Sequence, residues 1–350
     1  MPILTLDEIR AAHQRIAPVA VRSPLVQMNA AALHAAGVAT SATIWLKDES
    51  AQPIGSFKLR GAYNKIAQLT AEELGRGVIT YSSGNHAQGV AYSARALGAK
   101  AVIVMPEGAP EVKRRATAAL GAEIVTVSNA SSDRKRKAED LQAAHGYAMI
   151  PPYDDPAIIA GQATCGVELM EQAGWLTAST TRRLVLSPVS GGGLLSGVAT
   201  GVKLSCEAAG VAPVPVWGCE PELAADAAES FRTRQLVEWP ASATTRTICD
   251  GLRTQSLGQL NFEHILRFVD GIVTVSEEEI RAATRLILRT TAIVAEPSGA
   301  ITLAAAIFHA HELPPADEIV AIVSGGNIDP ALRDALAREG SESEASTVNV

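Results

Sequence analysis

From Gly77 to Ile150 the chain repeats one pattern: GVITY, HAQGVAYSARALG, AVIVM, EVKRRATAALG, EIVTV, DRKRKAEDLQAAHG. The β-branched apolar runs read as buried strands, and the segments between them carry helical periodicity. Strands linked through helices by short turns lie parallel, because the right-handed crossover returns the chain to the same edge of the sheet. The stretch 51–150 is therefore expected to be a small α/β layer, which excludes an all-β sandwich and a helical bundle.

The PPYDDPAII stretch at 151–159 breaks the period, after which alternation resumes. The sequence predicts a helix over GQATCGVELMEQAG, a strand at RLVLSPV, a helix over LLSGVATGVKLSCEAAG and a strand at VPVWGCE. Helices over 277–291 and 297–312 and the strand EIVAIVS follow. Ahead of the series stand an amphipathic helix with Leu6, Ile9, Ala12, His13 and Ile16 on one side, an extended VRSPLVQ and a strand in ATIWLKDES. The final GSESEASTVNV is polar and aperiodic, as in a flexible tail.

Three turns of small residues each follow a buried-strand run: SSGNHAQG at 82–89, SGGGLLSG at 190–197 and SGGN at 324–327. SGGGLLSG opens a helix, so the amides of Ser190, Gly191, Gly192, Gly193 and Leu194 would face outward at the positive end of a helix dipole, as a phosphate cradle. No lysine follows these glycines, as a nucleotide P-loop would require. SSGNHAQG offers a second helix N-terminus with hydroxyls at Ser82 and Ser83 and an amide at Asn85, which suits a carboxylate. Ahead of all three, SFKLRGAYNK at 56–65 sets Lys58 between Phe57 and a helical run. A lysine is nucleophilic near neutral pH only if desolvation or a neighbouring cation lowers its pKa, and Phe57 as an apolar wall and Arg60 as a cation are the candidates.

In order and spacing, Lys58, the three turns and an EPSG turn at 296–299 resemble the pyridoxal 5′-phosphate enzymes of the tryptophan synthase β-like fold, and among them the serine/threonine dehydratase and serine racemase family. The resemblance runs from about Arg22 to about Pro330. It implies two domains, each a mostly parallel twisted sheet flanked by helices: a large one from 1–50 plus 151–335 and a small mobile one from 51–150, with 336–350 as tail. It implies that Lys58 carries the cofactor as a Schiff base, that Phe57 borders it and that SGGGLLSG holds its phosphate. Asn85 would bond its phenolic oxygen and Ser324 face its ring nitrogen, while Ser82, Ser83, Asn85 and His86 surround the substrate carboxylate. A hydroxyl opposite the ring nitrogen cannot hold a proton there as a carboxylate would, which restrains carbanion side reactions and suits loss of a β-leaving group.

Glu220 and Asp226 flank an apolar turn in CEPELAAD, and two carboxylates plus a carbonyl suit Mg²⁺ or Ca²⁺. In the racemase-like relatives the corresponding acids and the carbonyl at the position of Ala224 hold such an ion. Simple threonine dehydratases of the family usually read SAGNH where this chain reads SSGNH; Ser83 stands where the serine racemases carry a base on the face opposite the lysine, and dehydratases acting on serine or 3-hydroxyaspartate can also carry it, so the serine permits racemisation without establishing it. The activity implied is a dehydratase (ammonia-lyase) acting on threonine, serine or 3-hydroxyaspartate. A racemase using Lys58 and Ser83, or a β-replacement synthase, is the alternative. A non-catalytic nucleotide-binding module is disfavoured, because no glycine fingerprint with a downstream ribose-binding acid follows the first strand.

A formal charge of −7 argues against nucleic acid or an anionic membrane surface as partner, and RKRK at 134–137 reads as a solvated helix face beside Asp133 and Glu139. Cys165, Cys206, Cys219 and Cys249 lack zinc-site spacing and read as reduced thiols. With neither a signal-like start nor a run of about 20 apolar residues, the expectation is a cytoplasmic protein, homo-oligomeric as relatives of this kind commonly are, with a small amino acid as partner.

Overall fold

The computed structural model describes residues 3–109, 111–128 and 131–339. Among these residues ten strands are formed: β1 Leu25–Gln27, β2 Thr43–Asp48, β3 Val78–Tyr81, β4 Ala101–Pro106, β5 Glu123–Val127, β6 Ala148–Met149, β7 Arg183–Pro188, β8 Val216–Pro221, β9 Gly271–Val275 and β10 Glu318–Val323. They build a six-stranded sheet in the order β1-β2-β10-β7-β8-β9 and a four-stranded sheet in the order β5-β4-β3-β6. Every pairing is parallel except β1 with β2.

The repeating series after Gly77 forms the four-stranded sheet, with helices Asn85–Ala96, Glu111–Ala119 and Ser131–His145 between its strands. Two strands go unread in the sequence. β6 is two residues long, too short to show a period. β9 alternates buried with half-buried residues, but it follows the long irregular stretch before Gln259 and precedes a strong capping box at Ser276 and Glu279 that draws the reading to the helix. The N-terminal helix Leu6–Ile16 buries Ile9, Ala12 and Ile16, as the periodicity predicts. The tail expected from 336 begins inside the helix Pro330–Arg338; from Gly340 onward it lies outside the described residues.

Lys58 opens the helix Lys58–Ile66, called the lysine helix below. That helix meets helix Pro156–Gln172 backbone to backbone: a Cβ on Gly161 would lie 2.6 Å from the carbonyl oxygen of Arg60 and from Cα of Gly61, so only glycine permits the approach. A fully buried ionic cluster secures the same junction. Arg60 pairs with Glu49 and Glu168 at 2.8 Å each, and Lys47 pairs with Glu168 at 3.0 Å. Lys47 also donates to the carbonyl oxygen of Ser23 and to Gln172, and Arg60 to Thr164. Two cations and two anions cancel, and the hydrogen bonds satisfy most of what burial would leave exposed to a low dielectric. The cluster crosses the expected boundary, joining Arg60 of the expected small part to Glu49 and Glu168, both of the expected large one.

Candidate active site

Four segments converge on Lys58. Its Nζ donates to the carbonyl oxygen of Pro152 at 2.7 Å and lies 5.1 Å from the centre of the Phe57 ring. The SGGN turn is joined to the residues just before it: Phe57 N–H donates to the carbonyl oxygen of Ser324, and Ser56 bridges to Gly325. Helix Asn85–Ala96 packs on its backbone, since a Cβ on Gly89 would lie 3.1 Å from the carbonyl oxygen of Lys58. The SGGG turn is reached through Tyr153, whose ring and Cβ lie against Gly191 and Gly193.

No carboxylate pairs with Lys58 among the described residues, and burial alone pushes its ammonium down to about 8. Desolvation by Phe57 and the enclosing loop fits the expectation from sequence. Arg60 as the activating cation does not: its guanidinium is turned into the buried cluster and neutralised by Glu49 and Glu168. The geometry of a helix explains this, because residues two apart face different sides.

Each glycine of the cradle has a reason to be glycine. Gly192 adopts φ +94°, and a Cβ there would also press on Asn261 and Leu257. On Gly191 a Cβ would lie 2.4 Å from the Tyr153 ring. Gly193 and Leu194 are first-turn residues of helix Gly193–Ala209, so their amides have no partner one turn back in the helix. Ser190 is tied to Thr254 at 2.6 Å, and the amide of Gly258 donates to the carbonyl oxygen of Gly191, so the turn is held in place from the other side.

In the SSGN turn, Ser82 Oγ accepts from the amide of Gly84, Ser83 is half-buried, and a Cβ on Gly84 would point into open space. His86 differs from the sequence expectation in what it can offer. Its ring is buried, donates Nε2–H to the carbonyl oxygen of Ile150 at 2.9 Å, and is held neutral, its pKa pushed to about 3 by burial and by the Lys58 charge. What remains for a carboxylate is its backbone amide at the helix start. Ser324 is buried with its hydroxyl donating to the carbonyl oxygen of Ser298 at 3.3 Å.

Three residues of this site are not singled out by the sequence. Tyr153 sits in the PPYDD break, where an aromatic after two prolines is the one signal. Glu296 and Asn327 begin and end motifs whose small residues draw the reading. Glu296 Oε1 accepts from Asn85 Nδ2 at 2.7 Å, and Asn327 Nδ2 donates to Asn85 Oδ1 at 2.7 Å.

Glu220 and Asp226 lie in a separate place, on β8 and at the start of helix Asp226–Thr233, with Ala224 buried in the turn between. Glu220 accepts from the amides of Ala227 and Ala228 at 3.0 and 2.7 Å, while Asp226 Oδ2 is buried with no hydrogen-bond partner. Burial raises both carboxyls, Asp226 to about 7, and the Asp226 charge raises Glu220 further. Among the described residues no group of three or more His, Cys, Asp or Glu side chains gathers as a metal cluster. Two surface cavities, of about 270 and 450 Å³, border the N-terminal helix, and neither is lined by Lys58 or the three turns.

The residues around Lys58 fit pyridoxal phosphate: a partly desolvated amine, a cradle that a Cβ would fill, and a buried hydroxyl and amide on the SGGN and SSGN turns. The family model described as "Pyridoxal-phosphate dependent enzyme" matches residues 16–325. The L-threo-3-hydroxyaspartate ammonia-lyase of Saccharomyces cerevisiae is 41% identical over 82% of this chain and 84% of its own length. The serine racemase of Schizosaccharomyces pombe is 37% identical over 93% of this chain and 94% of its own. Among solved structures, a threonine deaminase from T.th. superposes with a TM-score of 0.83 at 42% identity, covering 93% of this chain and 99% of its own.

Proposed function

The chain belongs to the family of pyridoxal-phosphate-dependent enzymes, and from that premise we propose that it is a dehydratase of the tryptophan synthase β-like fold, releasing ammonia and a 2-oxo acid from a β-hydroxy L-amino acid. The observation that carries the site assignment is Lys58, a lysine without a carboxylate partner among the described residues whose burial lowers its pKa to about 8, set among three small-residue turns. The ammonia-lyase and threonine deaminase relatives support elimination as the reaction. Threonine, serine and 3-hydroxyaspartate are the substrates proposed.

When bound, pyridoxal phosphate supplies an electron-withdrawing ring that makes the substrate's Cα–H acidic. The amides of Gly191, Gly192, Gly193 and Leu194, with Ser190 behind them, would hold its phosphate at the N-terminus of helix Gly193–Ala209. Phe57 would border the ring, Asn85 meet its oxygen and Ser324 its nitrogen. The Ser82 and Ser83 hydroxyls and the first amides of helix Asn85–Ala96, including that of His86, would orient the substrate carboxylate. With its low pKa, the Lys58 amine is neutral often enough near pH 8 to take the proton from Cα; returned from the Lys58 ammonium to the β-hydroxyl, that proton would let it depart as water, and a second water would hydrolyse the enamine left behind to the 2-oxo acid and ammonia. Phe57 on one side and the Pro152 carbonyl on the other hold that amine in place.

A second reading, racemisation, is favoured by the serine at 83 and by the serine racemase relative. Elimination needs a base on the lysine face alone, whereas racemisation needs a proton from the opposite face as well. The deciding assay supplies L-threonine, L-serine and L-threo-3-hydroxyaspartate and measures 2-oxo acid, ammonia and the opposite enantiomer. Dehydration that outruns racemisation and largely survives Ser83→Ala is the expected result. Racemisation outrunning elimination in the wild type transfers the assignment.

Glu220, Asp226 and the carbonyl of Ala224 are the proposed ligands of a Mg²⁺ or Ca²⁺ ion, since an unpartnered buried carboxylate beside another is what a hard cation would neutralise. The domain division at 1–50 plus 151–335 and 51–150 is proposed with the smaller part mobile; hydrogen exchange with and without substrate tests it. A homo-oligomer in the cytoplasm completes the reading, and light scattering gives its size. No helix among the described residues is long and apolar enough to cross a membrane.

A further inference from the structure

Glu296 is 3% exposed and stands at the N-cap of helix Pro297–Phe308, yet its side chain caps none of that helix's amides. Its carboxylate is used elsewhere. Oε1 accepts from Asn85 Nδ2 at 2.7 Å, and the backbone N–H of Asn327 donates to the same carboxylate. Asn327 closes the circuit, because its Nδ2 donates both to the carbonyl oxygen of Ile54 at 2.9 Å and to Asn85 Oδ1 at 2.7 Å. A carbonyl can only accept, so the Asn327 nitrogen is fixed. The Asn85 atom facing it must then be oxygen, and the one facing Glu296 must be nitrogen.

Both ends of the Asn85 amide are thereby assigned, and one Nδ2–H is left over. The arrangement spans the two sheets: Asn85 follows β3 of the four-stranded sheet, while Asn327 follows β10 of the six-stranded one. Glu296 Oε1 also lies over Gly325, where a Cβ would come within 2.8 Å of it, directly after Ser324. Burying a carboxylate here is costly. Burial and the Asp250 charge push it up to about 7, against the Lys113 cation and the bonds from Asn85 and Asn327. A group that does not cap its own helix and is buried at such cost is explained by what it orients.

We propose that Glu296 is a positioning residue for the cofactor: through Asn85 it aims the remaining Nδ2–H at the phenolic oxygen on the ring. The inference rests on the reading that Asn85 meets that oxygen, and Glu296 itself touches neither substrate nor ring. Its signature is non-additivity, because a residue that acts only through Asn85 has nothing left to lose once Asn85 is gone.

The test titrates apoenzyme with pyridoxal phosphate, following tryptophan fluorescence and the absorbance maximum of the bound cofactor. Asn85→Ala and Glu296→Ala are each expected to weaken affinity by about 10-fold, the loss of one good hydrogen bond, and to shift the absorbance maximum in the same direction. The double variant should be no weaker than Asn85→Ala alone, and Glu296→Gln, which still accepts from Asn85, should stay within about 3-fold of wild type. If Glu296→Ala does not fold, Glu296→Asp retracts the acceptor while keeping the charge and should reproduce the absorbance shift. Additive losses in the double variant, or wild-type affinity and absorbance in Glu296→Asp, overturn the proposal. Borohydride reduction of wild-type holoenzyme keeps the two layers apart. Label at Lys58 with additive losses sinks the role of Glu296 alone, whereas label on another lysine sinks the cofactor assignment and this inference with it.

Discussion

Lys47 and Lys58 lie on neighbouring elements of one short stretch, and both ammonium groups are withdrawn from water. Lys47 is fully buried, paired with Glu168 and bonded to Gln172 and to the carbonyl oxygen of Ser23. Lys58 is half-buried, and among the described residues its ammonium donates a hydrogen bond to one carbonyl oxygen, that of Pro152. The acids divide in the same manner. Glu49 and Glu168 face Arg60 and Lys47, while Glu220 and Asp226 face each other. Burial therefore does not mark a functional charge. In the proposed reading the mark is burial without an opposite charge, which favours the neutral form or leaves a ligand to supply what the fold withholds.

The largest expected effect separates the two lysines by activity. Lys58→Ala should lower 2-oxo acid release by about 10⁴-fold with the melting temperature nearly kept, whereas Lys47→Met should keep turnover per folded molecule and lose stability. Equal loss of turnover in both would erase the distinction, and assay together with thermal melting reads it directly.

Breaking the compensated cluster comes next. Glu168→Ala leaves Lys47 without its acid and Arg60 with one of its two, and should destabilise the fold by about 3–5 kcal/mol in denaturant titration. A loss below about 1 kcal/mol would mean that water already reaches the cluster.

Gly192→Asp tests the cradle as another uncompensated charge site, one that awaits an anion rather than a cation. The substitution adds like charge and a side chain at φ +94°, and should weaken pyridoxal phosphate binding by about 10-fold or more in apoenzyme titration. Unchanged affinity would remove the SGGG turn from the site.

The smallest effect sharpens the acid half of the contrast. Unfolded carboxyls titrate near about 4, and burial holds Asp226 to about 7 and raises Glu220 as well. Between those limits the folded chain binds more protons than the unfolded one, so stability without a cation falls as pH rises from about 4 to about 7. Added Mg²⁺ or Ca²⁺ should raise the melting temperature by about 2–4 °C at pH 8 and by less at pH 5. Asp226→Asn should remove the dependence on the cation, and a cation response equal at both pH values would count against the pair as its ligands.

Much of the architecture was legible because it is written in periodicity and turn chemistry. The βαβ series announced the parallel sheet, and the SSGN and SGGG turns announced the helix starts at Asn85 and Gly193. Where the signal was short or shared, the reading stopped. β6 has two residues, and β9 was overshadowed by the capping box behind it. The EPSG and SGGN motifs were noticed for their turns, but neither reveals that Glu296 and Asn327 grip the amide of a residue more than two hundred positions away.

What the sequence alone determined is local: which runs become strand or helix, where the chain turns, and which side chains could carry charge or attack. Which charges find partners was decided by the tertiary structure, and it reversed one local inference. Arg60, near Lys58 in sequence, spends its charge on Glu49 and Glu168, while Lys58 is left to desolvation. The reason is physical. A pKa or a hydrogen bond depends on separations of a few ångströms and on the local dielectric, and both are set by segments brought together from opposite ends of the chain.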